Sequence, residues 1–512
     1  MPSRRCAHSQ GSITPGTGGR DRRTEVTNSW ERTMKQPTSS DSDASQRRSD
    51  FYLKVAIAAL CFLGFNLALA WILQYYFHNS LITNISFVAN DPSWLPKGTQ
   101  LSPALGVHYF GDFELFVGYA TSSIPPYSSA IGVLPFYGPT SIVLVEILNG
   151  IFGWPGAVLV FLPCSLLFFL WGISRLLGSF LSARLLAILL LFTGGIILCL
   201  DRGNMQLIVA ALCVWFCVGL LEDRPRVLII SLAFAIAIKI YAAVLLLVLI
   251  RERRWRDAGL LAGFTSVLYA ASFAILGGDY LQSVRNFIDA DLLFASSPAQ
   301  AGKEFVLGRV SAAAAGYKLL YLSWGPQHFA HFVDHSPGWY IQVPGLIVGC
   351  ACLAVIWLAK HPREFALIAA LAMMQLTPAS TLPYVGINIV IELCLLVRVV
   401  GALPPREAEH ARRVAIGHPP VARGILMLCV ALLIIGSAPW MSMLYGKGGA
   451  STSLGEFLAP VTNICVVLAL LVGLLLGHRR EQRHEHIEGR RHVSPFPEAQ
   501  QPTPVGRHSG DS

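Results

Sequence analysis

EDRPRVLIISLAFAIAIKIYAAVLLLVLIRERRWR, residues 222–256, is an apolar run bounded on both sides by basic clusters, with a single lysine, Lys239, near its middle. Two full helical crossings need ~40 residues, more than residues 227–250 supply. One crossing would put the two basic flanks on opposite sides of a membrane, against the tendency of Lys and Arg to stay inside. A short, broken hairpin satisfies both constraints, with its two ends at the cytoplasmic side and its tip within the protein near Lys239 and Tyr241. Interrupted helices of this kind are tolerated where they line a cavity.

Working outward, the 512-residue chain is 54% hydrophobic and only 13% charged, and it repeats apolar runs of membrane-spanning length. Its net charge of +9 sits in short clusters between those runs, as in cytoplasmic loops, so nucleic acid is not an expected partner. Every cysteine except Cys6 falls inside an apolar run, which supports neither a disulfide framework nor a zinc site. Residues 1–50 read as a disordered cytoplasmic tail, with Met34 an alternative start, and residues 478–512 as a second disordered, basic tail.

The charge clusters order the membrane region, 51–477, between these tails. Arg47, Arg48 and Lys54 hold the N-terminus inside. Helices at 52–77, 156–174, 184–200 and 204–221, the hairpin at 227–250, and helices at 258–277, 339–359, 365–382, 384–402, 423–443 and 457–477 make about twelve, the hairpin counted as two. Two long loops, 78–155 and 278–337, then face outward. Segment 136–152 breaks the alternation if it spans, so it reads as an interfacial helix with Glu146 at its polar edge. The expected fold is an all-α polytopic membrane protein.

Ionisable residues at membrane depth are costly and usually face an interior cavity. Lys239 is the clearest such residue, and a cation there suits a phosphate; the alternative is a lysine that snorkels to an interface. Asp201, Arg202, Asn204 and Gln206 cluster where one helix ends outside and the next begins, as a site or as ordinary turn chemistry. Asp112, among Tyr109, Phe110 and Phe113, reads as a general base for a sugar hydroxyl or as the cap of the following helix, with Glu114 a solvated neighbour. Glu392 and Arg398 read as an interhelical pair or as snorkelling side chains. Asp289 and Asp291 form a DxD pattern that fits a solvated face better than a metal site. His328, His331 and His335 share a helix face but lack a clear fourth ligand. No P-loop, nucleophile elbow or dinucleotide fingerprint appears.

GDFELFVGYATSSIPPY (111–127), LPFYGPTSIVLVEIL (134–148), LDRGNMQLIVAALCVWF (200–216) and LAFAIAIKIYAAVLLLVLIRERRWRDAG (232–259) resemble, in that order and spacing, glycosyltransferase family 87. These are the alpha-mannosyltransferase-like, polyprenol-phosphate-sugar-dependent members of the GT-C superfamily. MMQLTPASTLPYVGINIVIELCLL (373–396) resembles a later helix start of the same family. Two departures stand out: the Gly-Gln-x-Asn pattern reads Gly203-Asn204-Met205-Gln206 here, and Lys-x-x-Pro reads Lys239-Ile240-Tyr241-Ala242.

The resemblance implies a GT-C-like bundle whose first external loop carries the catalytic aspartate, mapping onto Asp112. It implies inverting transfer of a hexose, mannose above all, from a polyprenyl-phosphate donor to an extracytoplasmic glycolipid or glycan, without metal or cofactor. Lys239, Arg202 and Arg309 are the cations nominated for the lipid phosphate, and Asn204, Gln206, Tyr241 and His108 complete the substrate-binding set. A multi-pass protein of a bacterial inner membrane with an outward-facing site is the expected setting. The rival expectation is a transporter or flippase of lipid-linked glycans, which the long external loops and the lack of internal repeats disfavour.

Overall fold

A computed structural model describes residues 137–154, 156–177, 203–277, 279–289, 311–335, 342–359, 363–378, 383–402, 419–437, 443–445 and 451–492, together with residues 57, 112–113, 116–118, 193, 195–196, 199–200 and 340. The first tail, almost all of the expected helices 52–77 and 184–200, and the tail beyond 492 lie outside the described residues.

The described residues are mainly helical. In chain order they form α1 (Pro139–Phe152), α2 (Gly156–Leu177), α3 (Gln206–Leu221) and α4 (Pro225–Ile238). A 3₁₀ turn over Ile240–Leu245 leads into α5 (Leu246–Arg251) and α6 (Trp255–Leu276). After these come α7 (Ala312–Trp324), α8 (Pro326–His335), α9 (Val343–Leu358) and α10 (Arg363–Leu376). A second 3₁₀ turn, Pro383–Ile387, opens α11 (Asn388–Ala402), followed by α12 (Pro419–Ser437) and α13 (Leu454–His492). A short antiparallel ribbon, Met443–Tyr445 against Ser451–Ser453, is the exception to the all-α expectation.

Three stretches among the described residues are long and apolar enough to cross a membrane: Gly156–Leu177, Trp255–Leu276 and Phe457–Leu476 within α13. The other apolar helices among the described residues are shorter, so the described residues supply three full-length spans of the expected twelve crossings. The helix α3 is buried on every side between α2 and α4, which suits its uniformly apolar sequence. By contrast, α6 fully buries only Leu261, Ser272 and Phe273; Phe264, Leu268 and Tyr269 pack half-buried against the core, and Trp255, Leu260, Val267 and Ile275 face outward.

Residues 222–256 form the hairpin. The chain rises through α4, breaks at Lys239, and returns through the 3₁₀ turn and α5. Each limb is about 21 Å long at standard rises, short of the ~30 Å hydrocarbon thickness. Its two ends meet: Arg254 bonds Asp223 (3.3 Å) as well as Asp257 (2.6 Å), and Arg363 bridges Asp223 (3.4 Å) and Glu252 (3.1 Å). Arg175 and Arg224 both hold Glu222, and Arg398 pairs with Glu364 while donating to the Leu176 carbonyl. One basic face therefore gathers the ends of α2, α3, α5 and α11 and the starts of α4, α6 and α10.

The two turns on that face are alike. Asp223 and Arg253 take left-handed conformations (φ 52° and 56°), and the next residue's N–H closes each turn, Arg224 onto Gly219 O (2.8 Å) and Arg254 onto Leu249 O (2.9 Å). At the far end the hairpin tip is clamped by α1, where Gly138 N donates to Ile238 O at 2.9 Å. Glu146 of α1 is exposed.

One expectation is corrected: the last helix does not stop at 477 but continues to His492. Residues 478–492 hold five Arg and three Glu, good helix formers, with Gly489 the one poor one, and no proline occurs before Pro495.

A Cβ at position 138 would come within 2.1 Å of Ala237 O, whereas one at Gly150, on the same helix, meets nothing within 4 Å. Gly138→Ala is expected to cost about 1–3 kcal/mol through overpacking at the hairpin tip, seen as a lower Tm in detergent, while Gly150→Ala leaves the Tm in place.

Candidate functional site

The site begins at the turn into α3. Gly203, at φ 63°, lets the chain reverse so that its N–H bonds Leu200 O (3.3 Å) and Asn204 N bonds Cys199 O (2.9 Å). This brings Asn204 to the helix start, where its Oδ1 accepts from Gln206 N at 2.7 Å, a local side-chain cap. Asn204 and Gln206 are both completely buried.

Opposite them stands the hairpin tip. Lys239 leaves the helical conformation (φ −141°, ψ 113°) although its N–H still closes onto Ala235 O, and its side chain, 1% exposed, points to the start of α3. Nζ donates to Asn204 Oδ1 and to Gln206 Oε1, each at 3.3 Å. It also lies 4.4 Å from the ring centroid of Tyr137 and 5.8 Å from that of Tyr241, whose hydroxyl donates to Gln206 Oε1. A buried ammonium is tolerable only when acceptors replace its water, and two amide oxygens and an aromatic face do so here.

Asp112 completes the group. Asn204 Nδ2 donates to its Oδ2 at 2.5 Å and to the Tyr137 hydroxyl at 3.0 Å. The short segment around Asp112 is anchored by aromatic packing: Phe113 lies against Trp154 and Phe161, and Phe116 meets Tyr137 edge-on at 4.6 Å. A carboxylate, two amides, an ammonium and two phenols thus share one buried site at the end of α3 and α4 opposite the basic face.

Of the residues singled out from the sequence, Asp112, Asn204, Gln206, Lys239 and Tyr241 come together; Arg202, Arg309 and His108 lie outside the described residues. Tyr137 is missed by the sequence reading, although it sits in the LPFYGPT stretch directly before the Gly-Pro start of α1. Asp289 is exposed and 3.9 Å from Arg285 one turn away, which is a solvated helix face; Asp291 is not among the described residues. His331 and His335 stack on the exposed face of α8, and among the described residues no three His, Cys, Asp or Glu side chains are grouped so that they could hold a metal ion.

Glu392 is buried and accepts from Asn463 of α13 at 3.4 Å, while Asn463 also donates to Gln375 at 3.2 Å. Glu392 thus meets an amide of α13, with Arg398 turned to the basic face.

Removing the acceptor that Lys239 and Tyr241 share leaves a buried ammonium with one fewer partner. Gln206→Ala is expected to cost about 1–3 kcal/mol, measured by thermal denaturation in detergent, with exposed Gln282→Ala as the unaffected control.

Comparison with known proteins gives one family: residues 136–383 match the model of glycosyltransferase family 87. The match contains Tyr137, Asn204, Gln206, Lys239 and Tyr241, and Asp112 precedes it. No curated protein matches the chain.

Proposed function

We propose that this chain, which belongs to glycosyltransferase family 87 and is a glycosyltransferase, transfers a hexose, mannose first among the candidates, from a polyprenyl-phosphate sugar to a glycolipid or glycan acceptor. The reading extends to a GT-C-like bundle of about twelve helices in a bacterial inner membrane. The basic face lies in the cytoplasm, by the positive-inside rule, and the site opens on the outer side. The observation that carries it is the convergence of Asp112 with Asn204, Gln206 and Lys239 at the end of the bundle away from the basic face.

In this reaction Asp112 takes the proton of the acceptor hydroxyl as that oxygen attacks the anomeric carbon from the side opposite the phosphate. The bond between the anomeric carbon and the phosphate oxygen breaks, its electron pair leaves with the polyprenyl phosphate, and the configuration inverts. Lys239 faces the negative charge that grows on the leaving group, and Arg202 and Arg309 are the further cations nominated for it from the sequence; a preorganised cation in a water-poor site stabilises such charge strongly. The prenyl chain reaches the site from the bilayer between helices, which fits a donor without a nucleotide.

With purified protein in detergent and polyprenyl-phosphate mannose, glucose and arabinose offered in turn, Asp112→Asn should lower the turnover of the accepted donor by roughly 10²–10⁴-fold while membrane insertion is unchanged. Full activity in that variant removes Asp112 from the mechanism. A transporter of lipid-linked glycan would transfer no sugar in this assay. Orientation is tested separately: a membrane-impermeant maleimide added outside intact cells should label Glu146→Cys and spare Arg256→Cys, and the reverse pattern would place the site on the cytoplasmic side.

A further inference from the structure

The proposed reaction uses the carboxylate and the cation but leaves Tyr137 without a task, although it touches both halves of the site. Its ring holds Lys239 Nζ at 4.4 Å and its hydroxyl accepts from Asn204 Nδ2 at 3.0 Å. The same nitrogen donates to Asp112 Oδ2 at 2.5 Å.

Counting the bonds of Asn204 shows what this arrangement does. A primary amide has two N–H donors and an oxygen with two lone pairs. Here the two donors go to Tyr137 and Asp112, and the oxygen accepts from Gln206 N and Lys239 Nζ. All four places are filled. Rotating the amide by half a turn would set its oxygen against the Asp112 carboxylate and its NH₂ against the Lys239 ammonium, losing both contacts to charged groups at once. The network therefore admits one orientation, and Tyr137 supplies the acceptor that occupies the second N–H.

Tyr137 is itself held. It is 6% exposed, Phe116 packs edge-on to its ring, and the next residue, Gly138, is bonded to Ile238 O beside Lys239. Its ring and its hydroxyl therefore act on the two reacting sides from one fixed backbone position. A phenylalanine would keep the aromatic face beneath the ammonium and lose the acceptor. A leucine would lose both.

We propose that Tyr137 is a positioning residue: its hydroxyl fixes the Asn204 amide, and through it the carboxylate of Asp112, while its ring sets where the Lys239 ammonium stands relative to that carboxylate. This rests on the reading of Asp112 as base and Lys239 as the cation facing the leaving group.

The test is steady-state transfer from the accepted polyprenyl-phosphate sugar by full-length protein in detergent. Loss of one hydrogen bond to an oriented amide predicts a kcat roughly tenfold lower in Tyr137→Phe, with the donor KM unchanged. Tyr137→Leu is expected to lower kcat further and to raise the donor KM, because the ammonium loses its platform. In an Asn204→Ala background Tyr137→Phe should add nothing, since the hydroxyl then has no amide to fix; Asn204→Ser serves if the alanine variant does not fold. Wild-type kcat in Tyr137→Phe, or losses that simply add in the double variant, would overturn the proposal. Asp112→Asn separates the two levels: if that variant is inactive and Tyr137→Phe is normal, only the positioning role fails, whereas an active Asp112→Asn removes the underlying mechanism as well.

Discussion

The ammonium of Lys239, buried in an apolar bundle, sets the conditions that the surrounding structure meets. Removing such a group from water costs on the order of several kcal/mol unless protein acceptors replace the solvent. Those acceptors come from the first turn of α3, so α3 must begin at the depth where the hairpin ends. That requirement runs into the backbone: Gly203 provides the left-handed turn that delivers Asn204, and Gly138 provides the close approach that clamps Ile238.

Depth is fixed from the opposite end. Each hairpin limb is too short to cross, and its ends are tied at one level by Asp223, Arg254, Glu252 and Arg363. Asp223 is well exposed and Arg363 about a third exposed, so the pairs they make contribute little each. Their value lies in registering three helix junctions, α3–α4, α5–α6 and α9–α10, on a common plane, from which α3 and α4 both run to the site. Tip and base are therefore linked through α4 and through α3, which is buried along almost its whole length.

The hairpin was legible because length and charge conflict in residues 222–256 under any other arrangement. Lys239, Asn204, Gln206 and Asp112 were legible for a related reason, since polar groups are conspicuous in an apolar sequence. Tyr137 was not: a tyrosine beside Phe136 in an apolar stretch has the pattern of ordinary core, and only its position under the ammonium separates it from the others. Glu392 was visible as a buried carboxylate, but its amide partner on α13 is distant in sequence and has no periodic signal. The extension of α13 to His492 was hidden because a charged segment without an apolar stripe looks like tail, while its local propensity favours helix.

The site joins two parts of the chain of different character. The region that matches the family, residues 136–383, supplies the amides, the ammonium and both tyrosines, held by helix starts, a hairpin and backbone hydrogen bonds. Asp112 comes from before that region on a segment held by rings, Phe113 in contact with Trp154 and Phe161, and Phe116 with Tyr137. Ring packing is less directional than a hydrogen bond, so it fixes the depth of the segment more firmly than the angle of the carboxylate. The angle is supplied by Asn204, whose amide has no freedom left once Tyr137, Gln206 and Lys239 have taken their places on it. The carboxylate of Asp112 is thus met by a side chain whose four hydrogen-bonding places are all filled.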